Sequence, residues 1–93
     1  MRLPRVAYPA PMNAAHSSFG DTLRYWRKRR GLSQLELATE AQTTPRHISF
    51  IETGRSRPGR DLILRLARSL GLLARDTNAL LVSAGFGPAF AHI

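Results

Sequence analysis

The chain has 93 residues, no cysteine, and 14 Lys plus Arg against 6 Asp plus Glu, for a formal net charge of +8. That excludes disulfides, thiolate metal sites and a cysteine nucleophile, and leaves room for one small domain. The hydrophobic fraction of 43% is enough for a core, while no apolar run approaches a membrane span and none follows Arg2 and Arg5 to make a signal peptide.

Thirteen of the fourteen cations are arginine. Its planar fork suits phosphate and guanine, so nucleic acid is the first expected partner, ahead of an anionic membrane, with plain solubility as the bland alternative. Residues 1–18 hold Pro4, Pro9 and Pro11 with little periodicity and read as a flexible N-terminal tail. Met12 is an alternative start, and Arg2 and Arg5 are either a minor-groove arm or part of that tail.

Helical signals begin at Phe19. In "FGDTLRYWRKRR", Phe19, Leu23 and Trp26 share one face, and Gly31 stops the helix. Ser33 caps a second helix, "SQLELATEA", that turns Leu37, Ala38 and Ala41 inward. Only "QTT" separates it from a third, capped by Thr44 with Pro45 in its first turn and ended by Gly54. The loop "GRSRPGR" leads to a fourth helix with Asp61 as its expected cap and Leu62, Ile63, Leu66, Ala67 and Leu70 on its apolar face. A fifth, in "ARDTNALLVSAG", buries Leu80, Leu81 and Ala84. No strand pattern appears, so the expected class is an all-α bundle of five short helices, with the folded unit at 19–85 and a C-terminal tail at 86–93.

The third helix poses the functional question. Ile48 and Ile51 lie three apart and face a core together, which directs Arg46, His47, Ser49 and Phe50 elsewhere. Arg46, early and exposed, is the best candidate for forking onto guanine O6 and N7. His47 either donates to phosphate or base or simply caps and solvates, and Ser49 is placed to reach phosphate. Phe50 lies about 100° off the core face and either packs on thymine methyls or folds against its neighbours. Two short helices joined by a tight turn, the second exposing such side chains, suggest a helix-turn-helix.

The run "RGLSQLELATEAQTTPRHISFIETGRSRP" resembles the Cro/cI-repressor-like (XRE-type) DNA-binding domain, in which "GLSQ", "LA" and "IS..E.G.S.P" recur at this spacing. The likeness covers roughly 19–84 and implies a lambda-repressor-like bundle. "RHISFIETGRSRP" followed by "NALL.SAG" is similar to the branch whose longer members carry an MmyB-like ligand-binding domain, which would begin where this sequence stops. The resemblance implies that Ser33 and Gln34 open the second helix against phosphate, with Gln34 also bracing the third, and that Thr44 caps the third while approaching DNA. It implies that Glu52 pairs with Arg27 of the first helix, a structural role. Arg55, Arg57 and Arg60 lie in the loop after the third helix, where members of the family grip the DNA backbone or reach the minor groove, with a solvated basic loop as the alternative. In two places the sequence departs from the pattern. Gln42 stands where the family commonly has Gly in a turn of positive φ, which predicts an altered turn, and Thr43 replaces an apolar residue.

The expected function is a sequence-specific, DNA-binding transcription regulator of repressor type, cytoplasmic, acting on double-stranded DNA. The alternative is an antitoxin-type protein-interaction module on the same fold, with a toxin or an effector domain as partner. An enzyme is not expected, since His16, His47 and His92 are scattered, no carboxylates pair in a pocket, and neither a metal site nor a cofactor motif is present. A homodimer is expected, because one recognition helix reads few base pairs and Phe86, Phe90 and Ile93 are hard to bury in so small a bundle. The competing reading folds Phe86 back as a lid.

Overall fold

Side-chain capping sets where the first three helices begin. In the computed structural model, which describes residues 18–90, the Ser18 hydroxyl accepts the Asp21 N–H and opens α1 (Phe19–Arg29). Ser33 opens α2 (Gln34–Ala41) through a reciprocal box: its hydroxyl accepts the Glu36 N–H at 3.0 Å, while Glu36 accepts the Ser33 N–H at 2.8 Å. Hydrogen bonding from Ser33, its backbone N–H first and its side chain second, holds the Glu36 carboxyl below its usual range. Thr44 opens α3 (Pro45–Glu52) by accepting the His47 N–H, with Pro45 at the position that needs no donor.

The last two helices start without such caps. α4 (Arg60–Ser69) follows Gly59, and α5 (Ala74–Ser83) follows Leu73, neither with a side-chain cap bond. The expectation that Asp61 caps α4 is therefore corrected. Asp61 lies in the first turn, where its charge suits the helix dipole, and pairs with Arg65 one turn on. The described residues are all-α in five helices, as the periodicity indicated, with no strand among them.

α3 packs between α1 and α2, α4 lies against α2, and α5 closes the bundle against α4 and α1. The core is built from the stripes legible in the sequence: Leu23, Leu37, Ile48, Ile63, Leu66, Leu80 and Leu81 are each 0% exposed. One close approach was not legible. A Cβ on Gly20 would lie 2.4 Å from the Ile51 carbonyl oxygen and 2.6 Å from that of Glu52, so only glycine lets α1 meet the end of α3.

The "QTT" turn keeps the shape the departure at Gln42 put in doubt. Gln42 adopts φ 62° and ψ 49°, a left-handed conformation that a glycine would take without steric cost. The altered turn expected there is not observed. The departure instead costs about 1 kcal/mol in stability. Thr43, the second departure, donates its N–H to the Ala38 carbonyl at 2.9 Å and offers its hydroxyl to His47.

Residues 1–17, with Arg2, Arg5 and Met12, and Ile93 lie outside the described residues. The C-terminal expectation is corrected in part. Phe86 is half-buried against the core, and its N–H reaches the Leu81 carbonyl at 2.9 Å, so it folds back as a lid. The Asn78 amide then holds the segment down, accepting the N–H of Ala89 at 2.9 Å and of Phe90 at 3.1 Å and donating to the Phe90 carbonyl at 3.2 Å. Phe90 itself stays 48% exposed.

Candidate DNA interface

The end of α3 is fixed by a buried carboxylate. Glu52 is 3% and Arg27 9% exposed. Arg27 donates from Nε to Glu52 Oε2 at 2.6 Å and from Nη2 to Oε1 at 2.9 Å, a two-pronged pair, and from Nη1 to the Leu32 carbonyl at 2.9 Å. Gln34, the first residue of α2, donates to Glu52 Oε1 at 3.1 Å, and Arg24 Nε stands 3.5 Å from the same oxygen. Burial pushes the Glu52 carboxyl up, but the hydrogen bonds from Arg27 and Gln34, the Arg27 charge and the bond from Arg24 hold it below its usual value. The same pairing raises the Arg27 guanidinium. Three helices thus meet at one carboxylate. Arg24 was absent from the sequence reading, although it lies one turn before Arg27 and so faces the same way.

With Ile48, Ile51 and Glu52 turned inward, α3 presents Arg46, Ser49 and Phe50 outward. Arg46 is exposed. Phe50 is half-buried, with the guanidinium carbon of Arg46 5.2 Å and that of Arg55 4.5 Å from its ring centre. In the free protein the ring thus has neighbouring guanidinium groups against it. The spacing of Arg46 and Phe50, four apart on one helix, was the signal for that contact.

His47 is taken up within the protein. Its Nδ1 lies 3.1 Å from the Thr43 hydroxyl and its Nε2 3.3 Å from that of Ser56, so the ring bridges the turn before α3 and the loop after it. Ser33 and Thr44 are exposed but spend their hydroxyls on caps, while Ser49 is half-buried.

The three loop arginines separate. Arg55 and Arg57 are exposed in the loop after α3, and no hydrogen bond, ion pair or ring contact engages Arg57 among the described residues. Arg60 does not belong to the loop. It is the first residue of α4 and donates to the Gly87 carbonyl at 2.9 Å, which ties it to the C-terminal segment. Two further arginines act as internal straps: Arg30 Nε donates to the Leu70 carbonyl at 2.7 Å and Arg65 Nε to the Ala41 carbonyl at 2.9 Å. Among the described residues no cluster of three His, Cys, Asp or Glu is placed to hold a metal, and no helix is long and apolar enough to cross a membrane.

Two short helices locked at a fixed angle, the second with a basic outward face, define a helix-turn-helix. The family described as Helix-turn-helix (HTH_3) matches residues 23–75, more than half the chain. The chain belongs to this XRE-type helix-turn-helix family of DNA-binding transcription regulators. Among solved structures it is similar to the clp gene regulator ClgR from C. glutamicum, with a TM-score of 0.63 and 28% identity, covering 85% of this chain and 96% of that one. It is also 36% identical over 61 residues to Multiprotein-bridging factor 1 of Candida albicans, a match covering 66% of this chain. The match spans 40% of that relative's length. The matched family is one of DNA-binding transcription regulators, and the structural neighbour is a gene regulator.

Proposed function

We propose that this chain is a sequence-specific, cytoplasmic regulator of repressor type whose α3 lies in the major groove of double-stranded DNA. The observation that carries this reading is the outward face of α3. Arg46 stands exposed in its first turn with Arg55 beside it, on a helix that the buried Arg27–Glu52 pair fixes in place. Arg46 forks onto guanine, Arg55 and Arg57 hold phosphates on the flanking strand, and the start of α2 meets a phosphate with the backbone amide of Gln34, that of Ser33 being spent on Glu36. Thr44 and Ser49 line the same face. His47 contributes as a brace rather than a contact. Arg60 joins the phosphate clamp only by leaving Gly87.

Two copies bind together, on half-sites about 34 Å apart, because one helix of eight residues reads too few base pairs alone. The exposed ring of Phe90 lies on the segment proposed to meet the second copy.

Selection of bound fragments from a random duplex library tests the reading. The expected result is an enriched, two-fold symmetric site with a guanine whose replacement by 7-deazaguanine lowers affinity by about 1–3 kcal/mol in the wild type and not in Arg46→Ala. Recovery of no preferred sequence refutes it. The likeness to a relative named as a bridging factor favours a second reading, a protein-interaction module of the antitoxin kind. That reading requires a partner protein, a toxin or an effector domain, whose binding survives Arg46→Ala.

A further inference from the structure

The Phe50 ring is a half-buried aromatic with charge on it from two directions in sequence. The guanidinium carbon of Arg46, one turn earlier on α3, lies 5.2 Å from the ring centre, and that of Arg55, past the end of the helix, lies 4.5 Å from it. Both fall within the range over which the ring quadrupole attracts a cation. Phe50 also holds the loop by its backbone. Its carbonyl accepts the N–H of Arg55 at 2.8 Å and of Ser56 at 3.2 Å, and the Ser56 hydroxyl in turn meets His47 Nε2. One residue thus fixes both where Arg55 leaves the chain and where its guanidinium ends.

We infer that Phe50 is the positioning residue for DNA recognition: it pre-orders Arg46 and Arg55 as a two-pronged reader and touches no base itself. The inference rests on the DNA-binding reading above. Each guanidinium that gathers on the ring keeps N–H groups for a partner. Since both are held to the same centre, they stand no more than about 10 Å apart. Successive base pairs rise about 3.4 Å, so the two guanidinium carbons themselves stand within about three base-pair steps of one another. Phe50 therefore sets the spacing of the contacts, and with it the register between the base that Arg46 reads and the phosphate that Arg55 holds. Ordering two long side chains before the encounter removes an entropic cost that binding would otherwise bear, roughly a ten-fold change in affinity for the two together.

The test compares the full chain with Phe50→Leu, which keeps apolar bulk but no π face, and with Phe50→Tyr, which restores the face. Affinity is measured on the selected duplex and on random duplex. Phe50→Leu is expected to lose about ten-fold on the selected site and much less on random duplex, and Phe50→Tyr to recover most of the loss. In double-mutant cycles the Phe50→Leu effect shrinks when Arg46 or Arg55 is already alanine. Wild-type affinity on Phe50→Leu, no recovery by Phe50→Tyr, or additivity in both cycles overturns the inference. A second measurement needs no variant. By 15N relaxation, the Arg46 and Arg55 Nε–H groups of the free wild type are expected to be more ordered than that of Arg57, and equal disorder in all three also overturns the inference. Failure of the wild type to bind any duplex refutes the DNA reading instead, and is scored separately by that first titration.

Discussion

Replacing Glu52 by glutamine removes one negative charge from a site where the carboxylate is 3% exposed and its main partner 9%. The amide keeps an oxygen for one donor but points an NH₂ group at the other. The Arg27 Nε–H and Nη2–H and the Gln34 amide, now at 2.6, 2.9 and 3.1 Å from carboxylate oxygens, can no longer all be satisfied. Breaking a buried pair from one side costs about 3–5 kcal/mol. The retained amide oxygen and the Arg27 bond to the Leu32 carbonyl soften this, so about 2–3 kcal/mol is expected. For a domain of this size each kcal/mol moves the melting temperature by about 4–8 °C, which makes the expected drop roughly 10–20 °C. Thermal unfolding followed by far-UV circular dichroism measures it directly. Combined with Arg27→Met, the loss is expected to be well below the sum of the single losses, since the unpaired cation is gone. A drop under about 3 °C, or strict additivity, refutes the account of Glu52 as the carboxylate that joins three helices.

Gly20→Ala is expected to unfold or strongly destabilise the domain, by about 1–3 kcal/mol or more, because its Cβ meets backbone oxygens at 2.4 and 2.6 Å; a chemical denaturation midpoint equal to wild type counts against the close crossing. Arg46→Ala is expected to weaken the selected site by about 1–3 kcal/mol while leaving random duplex largely unaffected, as read by competition titration. Arg57→Ala should weaken all sequences alike and lower the salt-dependence slope by about one unit, and an unchanged slope removes Arg57 from the phosphate contacts. The depressed Glu52 carboxyl contributes stability that is present above its unfolded value near 4.5 and lost as pH falls through its lower folded value. The melting temperature is thus expected to fall below about pH 4.5 in the wild type and less steeply in Glu52→Gln.

The helices were legible because their stripes are long and their stops are strong. Leu62, Ile63, Leu66, Ala67 and Leu70 describe one face of α4 in any register, and each is buried as the period requires. Where α4 starts was not legible: three polar residues, Gly59, Arg60 and Asp61, precede the stripe, and Gly59 takes the cap without a side chain to announce it. That shift moved Arg60 from loop to helix. The Gly20 crossing was invisible for a different reason, since it depends on the carbonyls of Ile51 and Glu52, and carbonyls leave no mark on a sequence. His47 shows the limit for a polar residue. Its helix position offered solvent or DNA, but the partners that engage it, Thr43 and Ser56, sit in the turns on either side of α3. Turns are placed by the whole fold.

The same limit applies to the charge that first suggested a polyanion. A formal +8 treats every arginine as outward-facing, yet Arg27, Arg30, Arg60 and Arg65 each donate to a main-chain carbonyl of another segment. In this small bundle the guanidinium does the work of a cross-strut. It reaches across a helix pair, satisfies a carbonyl that a helix end leaves without a donor, and keeps its charge. The leftover carbonyls of Leu70, at the end of α4, and of Ala41, at the end of α2, are satisfied this way. The struts still contribute to the long-range field that draws DNA in, because field depends on charge and not on hydrogen-bond partners. Contact is a separate matter. In the function proposed above it falls to Arg46, Arg55 and Arg57, which no carbonyl engages among the described residues, and two of those three are already gathered on one ring. An arginine-rich composition therefore encodes two things at once in this chain. Of the struts, Arg27 alone also pairs with the recognition helix, through Glu52, while Arg30, Arg60 and Arg65 tie other segments of the bundle together.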